Sequence, residues 1–149
     1  MTGPEAFYMD SADCISRVHI LRWQPDTGQA RAVLPLGDGI AEHIARYDAF
    51  ARFMAASGFV VVGNSHLGHG LSSPGAHRGV FAGKDGWNIV VNDMRALYDI
   101  TREDYPGLPY FLLGHSMGSF LARTFTIRWP ELLSGCILSG TGQPSALFT

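Results

Sequence analysis

The chain has 149 residues, 46% of them hydrophobic and 16% charged, a balance that suits one globular domain with a real core and excludes a disordered segment. A formal net charge of -2 at neutral pH, with Lys and Arg scattered rather than clustered, argues against nucleic acid or an anionic membrane surface as partner. No apolar run is long enough to span a bilayer, and residues 1–13 carry Glu5 and Asp10 without the apolar centre of a signal peptide, so a cytoplasmic location is expected.

In chain order, residues 15–23 alternate in polarity and predict a strand, closed by a turn at Pro25, Asp26, Thr27 and Gly28. Residues 30–36 predict a second strand, followed by a loop holding Gly37 and Gly39. Residues 42–57 read as a helix, with Tyr47, Phe50, Phe53 and Met54 at helical spacing on one face and Gly58 just past its end. The apolar run 59–62 suits a central strand covered on both faces. A long Gly- and Pro-rich loop, from Asn64 to about Lys84, is long enough to suggest a functional role. Residues 87–102 predict a second helix with Trp87, Val90, Val91, Met94, Leu97 and Tyr98 as its buried stripe. A strand at 110–113, a helix from 116 to 128 burying Met117, Phe120, Leu121 and Phe125, and a last strand at 135–138 complete the pattern. Short apolar runs alternating with amphipathic helices predict an α/β domain whose sheet is mostly parallel, with strand 15–23 antiparallel at one edge.

Cys14 and Cys136 form no C-x-x-C pair and read as small buried side chains in apolar stretches. The six histidines offer one pattern with metal-like spacing, His66-x-x-His69, but two imidazoles without a third ligand do not make a site. No metal or other cofactor is expected. His43 opens a helix, where a neutral imidazole is favoured. His19 and His77 belong to no motif and read as surface side chains.

Gly114-His115-Ser116-Met117-Gly118 fits G-x-S-x-G. Five residues alone carry little weight, but these follow an apolar strand and open an amphipathic helix, the setting a nucleophile elbow requires. A serine at so sharp a bend projects its Oγ from the end of the sheet, and glycines on either side relieve the crowding. The Met117 amide at the helix start can then donate to a developing oxyanion, helped by the helix dipole. A serine that merely caps a helix after a glycine turn would show the same five residues.

Three segments occur in order: Glu42-His43-Ile44-Ala45-Arg46-Tyr47, Asn64-Ser65-His66-Leu67-Gly68-His69-Gly70-Leu71-Ser72, and Gly114-His115-Ser116-Met117-Gly118-Ser119. Together they resemble the monoacylglycerol lipase and lysophospholipase branch of the α/β-hydrolases, often grouped with the serine aminopeptidases. The resemblance runs from about Ile15 to Gly142. It implies an eight-stranded, mostly parallel sheet and hydrolysis of carboxylic esters of acylglycerol or lysophospholipid type through an acyl-enzyme. It places the nucleophile at Ser116 and the two oxyanion-hole amides at Met117 and Ile40.

The chain departs from the pattern at three points. Asp38-Gly39 stands where the relatives usually carry His-Gly. A carboxylate aimed at a forming oxyanion costs about 4 kcal/mol at 4 Å and an effective dielectric near 20, whereas one turned away does not. Ser65 replaces a usual aspartate that looks structural. Finally, the acid and histidine of the triad follow the nucleophile in this fold, but beyond Ser116 there are only Glu131 and no histidine. Residues 1–149 are therefore expected to form a single partial α/β-hydrolase domain without the cap, the last strands, or the triad acid and histidine. Such a chain is expected to be inactive or incomplete alone, and to self-associate or take a complementing C-terminal half through strand 135–138. Its small-molecule partner would be a lipid or other ester. A different class of reading remains, a non-catalytic remnant or interaction module keeping half of a hydrolase fold, and fold alone also admits peptidase or other acyl-transfer chemistry.

Overall fold

The computed structural model describes residues 3–26, 28–72 and 78–143. Six strands form one sheet in the order β1-β2-β4-β3-β5-β6. They are β1 (Glu5–Asp10), β2 (Arg17–Trp23), β3 (Ala32–Gly37), β4 (Phe59–Asn64), β5 (Phe111–His115) and β6 (Gly135–Ser139). The four strands β4, β3, β5 and β6 pair parallel, while β1 and β2 are antiparallel. The expected parallel strands are thus all present.

Two expectations are corrected at the antiparallel side. Residues 15–23 shorten to Arg17–Trp23, and this strand lies inside the sheet, between β1 and β4. The edge is taken by β1, whose six residues, acidic at both ends, gave no strand signal. The β1–β2 turn is tied down from within. Asp13 accepts from the amides of Ile15 and Ser16 at 2.8 and 2.7 Å, and Asp93 on the long helix accepts from Ser11 Oγ at 2.9 Å and the Ala12 amide at 2.6 Å. Burial pushes the Asp93 carboxyl up to about 6.

Strand residues divide between the two faces with period two. Val60 and Val62 join the larger core with Val18, Ile20, Val33 and Leu112, whereas Val61 joins Leu21, Trp23, Leu34 and Leu36 on the other side. Helices α2 (Gly86–Asp104) and α3 (Met117–Arg128) cover the first face through Val90, Val91, Met94, Leu97, Tyr98, Leu121 and Phe125. The expected stripe of α2 holds except at Trp87, which is exposed and donates to Thr124 Oγ1.

On the second face lie the 3-10 turn Ile44–Tyr47 and α1 (Asp48–Ala56). Here the predicted face is wrong for the two large side chains. Ala51 and Ala55 are buried, while Phe50 and Phe53 are exposed, Phe53 at 68%. Small residues let the helix axis approach the sheet closely, and the same period that lines up the phenylalanines also lines up the alanines. Ile44, fully buried, packs directly on Gly63, where a Cβ would stand 2.2 Å from Ile44 Cδ1.

Neither cysteine is a core residue: Cys14 is exposed, Cys136 half-buried, and both are free thiols. His19 is buried rather than superficial. His77 lies outside the described residues. Among the described residues, no helix is long and apolar enough to cross a membrane.

Candidate active site

The site forms where three chain segments meet at the C-terminal ends of the parallel strands. Strand β5 ends at His115, α3 begins at Met117, and Ser116 joins them with φ 52° and ψ -119°. This is a backbone conformation that L residues adopt at a cost of about 1–3 kcal/mol. It is held by the Ser116 amide donating to Ser139 O at 2.9 Å and by Ser119, whose amide and Oγ both donate to Ser116 O, at 2.9 and 2.6 Å. The Ser116 side chain does not cap the helix, so the capping role does not account for it. Among the described residues nothing hydrogen-bonds its Oγ.

Close approach explains the two glycines. A Cβ on Gly114 would lie 2.3 Å from Gly118 O, and one on Gly118 would lie 2.2 Å from Gly37 O and 2.6 Å from Asp38 O. The first turn of α3 thus rests on the backbone at the end of β3. That contact brings the next residues of the β3 loop against the serine: a Cβ on Gly39 would be 3.3 Å from Ser116 Cβ.

The loop itself is tightly turned. Ala41 has φ 59°, and the Glu42 amide donates to Gly39 O at 3.3 Å. Glu42 Oε2 accepts from the Gly39 amide at 3.0 Å and from the Tyr47 hydroxyl at 2.8 Å, and Oε1 pairs with Arg46 at 2.6 Å. Against the cost of burial, Tyr47, the Gly39 amide and Arg46 hold the Glu42 carboxyl below its ordinary range. Ile40 follows Gly39 on this loop with its side chain 68% exposed, and among the described residues no acceptor engages its amide. The Met117 amide, first in its helix, likewise has no intrahelical acceptor. Ile40 also lines a cavity of about 800 Å³ with Glu42, His43, Ser65, His69 and Leu71. Ser116 stands outside that lining.

Asp38 does not point at the serine. Its carboxyl is fully buried and turned into the fold, with Oδ1 3.1 Å from His66 Nε2, itself fully buried. The contact lacks hydrogen-bond alignment. On its other side, His66 Nδ1 meets Asn64 Nδ2 at 3.2 Å. Burial, with Glu42 nearby, pushes the Asp38 carboxyl up to about 8, while burial and His69 push the His66 imidazole down to about 3. His69 turns its Nδ1 to Leu67 O at 2.9 Å. The two histidines of H-x-x-H therefore serve different neighbours. Ser65, in place of an acid, still organises its loop: its Oγ accepts from the Ile44 amide at 3.3 Å, and its carbonyl accepts from Ser72 Oγ.

His115 does not reach the serine as a base; its Nδ1 meets Ser139 Oγ at 3.2 Å. Glu131 is exposed in the 3-10 turn Pro130–Leu132, beyond the far end of α3. The Glu42–Tyr47 network, the Asp38–His66 pair and the contact of Ser139 with the elbow were all missed from sequence. For Glu42 a signal existed: it opens the first of the three ordered segments, three residues after the loop glycine.

A family described as serine aminopeptidase, S33 matches residues 28–144. Human monoglyceride lipase is 35% identical over 116 residues, which are 78% of this chain and 36% of that protein. The monoacylglycerol lipase of Mycolicibacterium smegmatis is 37% identical over 118 residues, 79% of this chain and 40% of that protein. In three dimensions, a thermostable carboxyl esterase from Bacillus coagulans superposes with a TM-score of 0.87 at 31% identity, covering 95% of this chain and 46% of the esterase. A soluble variant of Saccharomyces cerevisiae monoglyceride lipase gives a TM-score of 0.80 at 22% identity, over 93% of this chain and 45% of that one, a likeness of fold. The chain thus spans 36 to 40% of the length of these two curated relatives.

Proposed function

The chain belongs to the serine aminopeptidase S33 family of α/β-hydrolases, and from that premise we propose that its site is that of a serine ester hydrolase acting on acylglycerol- or lysophospholipid-type esters. Ser116 Oγ attacks the ester carbonyl. Its proton leaves through a general base to the departing alcohol, the acyl C–O bond breaks, and water later releases the acid from the acyl-serine. The amides of Met117 and Ile40 hold the oxyanion, each contributing on the order of a hundred-fold or more. The observation that carries this reading is the backbone of Ser116. A side chain with φ 52°, flanked by two glycines that admit no Cβ and placed against the Gly39–Ile40 loop, has little reason to exist apart from presenting its hydroxyl.

The base is another matter. None of the described histidines contacts Ser116 Oγ, and a serine without its base keeps only the weak catalysis of binding and oxyanion stabilisation. A fluorophosphonate probe should accordingly label the isolated chain slowly and at Ser116 alone, with no adduct in Ser116→Ala by intact-mass and peptide analysis. Turnover of p-nitrophenyl butyrate should be several orders of magnitude below that of a complete esterase. An adduct at another residue, or none at all, would remove Ser116 from the role.

The edge of the sheet favours a second reading, an interaction module. Among the described residues strand β6 pairs on one side only, with β5, and Ile137 and Leu138 are 48% and 39% exposed. An apolar edge strand of this kind templates pairing with another chain. Sedimentation of the purified chain should show self-association that Ile137→Lys reduces. A cooperative monomer in both would refute the use of this edge.

A further inference from the structure

The loop that approaches Ser116 begins with a buried acid. Asp38 directly precedes Gly39, the residue in contact with the serine, and its own carbonyl lies against Gly118 in the first turn of α3. Its side chain reaches across to the end of β4, where His66 is backed by Asn64. Both side chains are fully shielded from water, and among the described residues no well-aligned hydrogen bond satisfies the Asp38 oxygens or His66 Nε2, although the backbone amides of Asp38 and His66 lie toward the carboxyl. One residue therefore joins three pieces: the end of β3, the end of β4 and the elbow.

We propose that the Asp38–His66 pair positions the Gly39–Ile40 loop and, by staying without net charge in the folded chain, lets that loop accept an oxyanion beside Ser116. The proposal rests on the reading of Ser116 and Ile40 given above. A buried carboxylate without its proton would add negative charge one residue from the contact with Ser116, opposing the charge the site must stabilise. With the proton in place this does not happen, because a carboxylic acid beside a neutral imidazole and a carboxylate beside an imidazolium carry the same net charge of zero.

The other ionisable groups around the pair push in known directions. The Glu42 carboxylate disfavours ionisation of Asp38, and His69 disfavours protonation of His66. Arg46 is engaged by Glu42, and Tyr47, half-buried and bonded to Glu42, has its hydroxyl pKa raised. Among the described residues no cation stands beside Asp38 to hold it ionised, and burial pushes its carboxyl up to about 8.

The test is the pH dependence of fluorophosphonate labelling at Ser116, because phosphonylation also builds negative charge on an oxygen. Wild-type and Asp38→Asn chains are each normalised to their own rate at pH 7. At pH 9 the wild type should fall behind the variant by about tenfold, one pH unit beyond a midpoint near 8. Superimposable normalised profiles would overturn the proposal. A second measurement needs neither the variant nor the nucleophile: carbon-13 shifts of Asp38 Cγ and of the Gly39 and Ile40 carbonyls in the wild type from pH 6 to 9. The three should titrate together. A change at Asp38 with Gly39 and Ile40 unmoved would show a pair that is merely structural, and would overturn it. Absence of any adduct at Ser116 would count against the nucleophile, and the carbon shifts would then decide the pair alone.

Discussion

Gly118→Ala should cost about 3 kcal/mol or more of folding stability, measured by urea denaturation, and should abolish labelling of Ser116 in whatever fraction remains folded. The added methyl would stand 2.2 Å from Gly37 O, 2.5 Å from Gly37 C and 2.6 Å from Asp38 O. All three are backbone atoms of the sheet end, so no side chain can swing aside. Relief requires α3 to lift from β3, and α3 carries Leu121 and Phe125 into the main core. The same movement would carry Ser116 and Met117 away from the Gly39–Ile40 loop. Gly83→Ala is the control: among the described residues nothing lies within 4 Å of the new methyl and the backbone is unstrained, so a change within about 0.5 kcal/mol is expected. A loss of under 1 kcal/mol in Gly118→Ala would mean that the elbow is not packed as described.

The elbow was legible in the sequence because its signals are local. A run of apolar residues, a glycine-flanked serine and an amphipathic helix occur in unbroken order, and each constrains the backbone where it stands. The parallel strands were legible for the same reason, since strands buried on both faces announce themselves by continuous hydrophobicity. What was not legible depends on partners distant in the chain. Phe50 and Phe53 share a period with Ala51 and Ala55, and only the distance between helix and sheet decides which pair faces inward. Strand β1 is defined by its register with β2, from Glu5 opposite Arg22 to Asp10 opposite Arg17, rather than by its own composition. The Asp38–His66 contact joins the ends of two parallel strands, and nothing near Asp38 in the chain points to it.

That contact also shapes the stability of the whole chain. Between about pH 6.5 and 8 the wild type should lose about 1 kcal/mol of folding stability, and Asp38→Asn should not. In the unfolded chain Asp38 releases its proton near 3.8 and His66 near 6.5; in the folded chain the pair holds one proton until about 8. Above pH 6.5 the folded state therefore binds one more proton than the unfolded state, and stability falls with rising pH until the folded pair lets go. On the acid side the sign reverses. Below 3.8 the unfolded carboxylate takes up a proton that the folded pair resists until about 3, so stability falls with falling pH by about 1 kcal/mol. Asp93 adds a decline of its own, but between 3.8 and about 6, below the window that isolates the pair. In Asp38→Asn no proton remains to be shared, and His66, buried and neutral, matches its unfolded form above pH 6.5. Urea midpoints at pH 6.5, 7.25 and 8 in both chains measure the difference directly. Parallel curves would mean that the Asp38 carboxyl keeps its ordinary range in the folded chain and that the pair holds no extra proton.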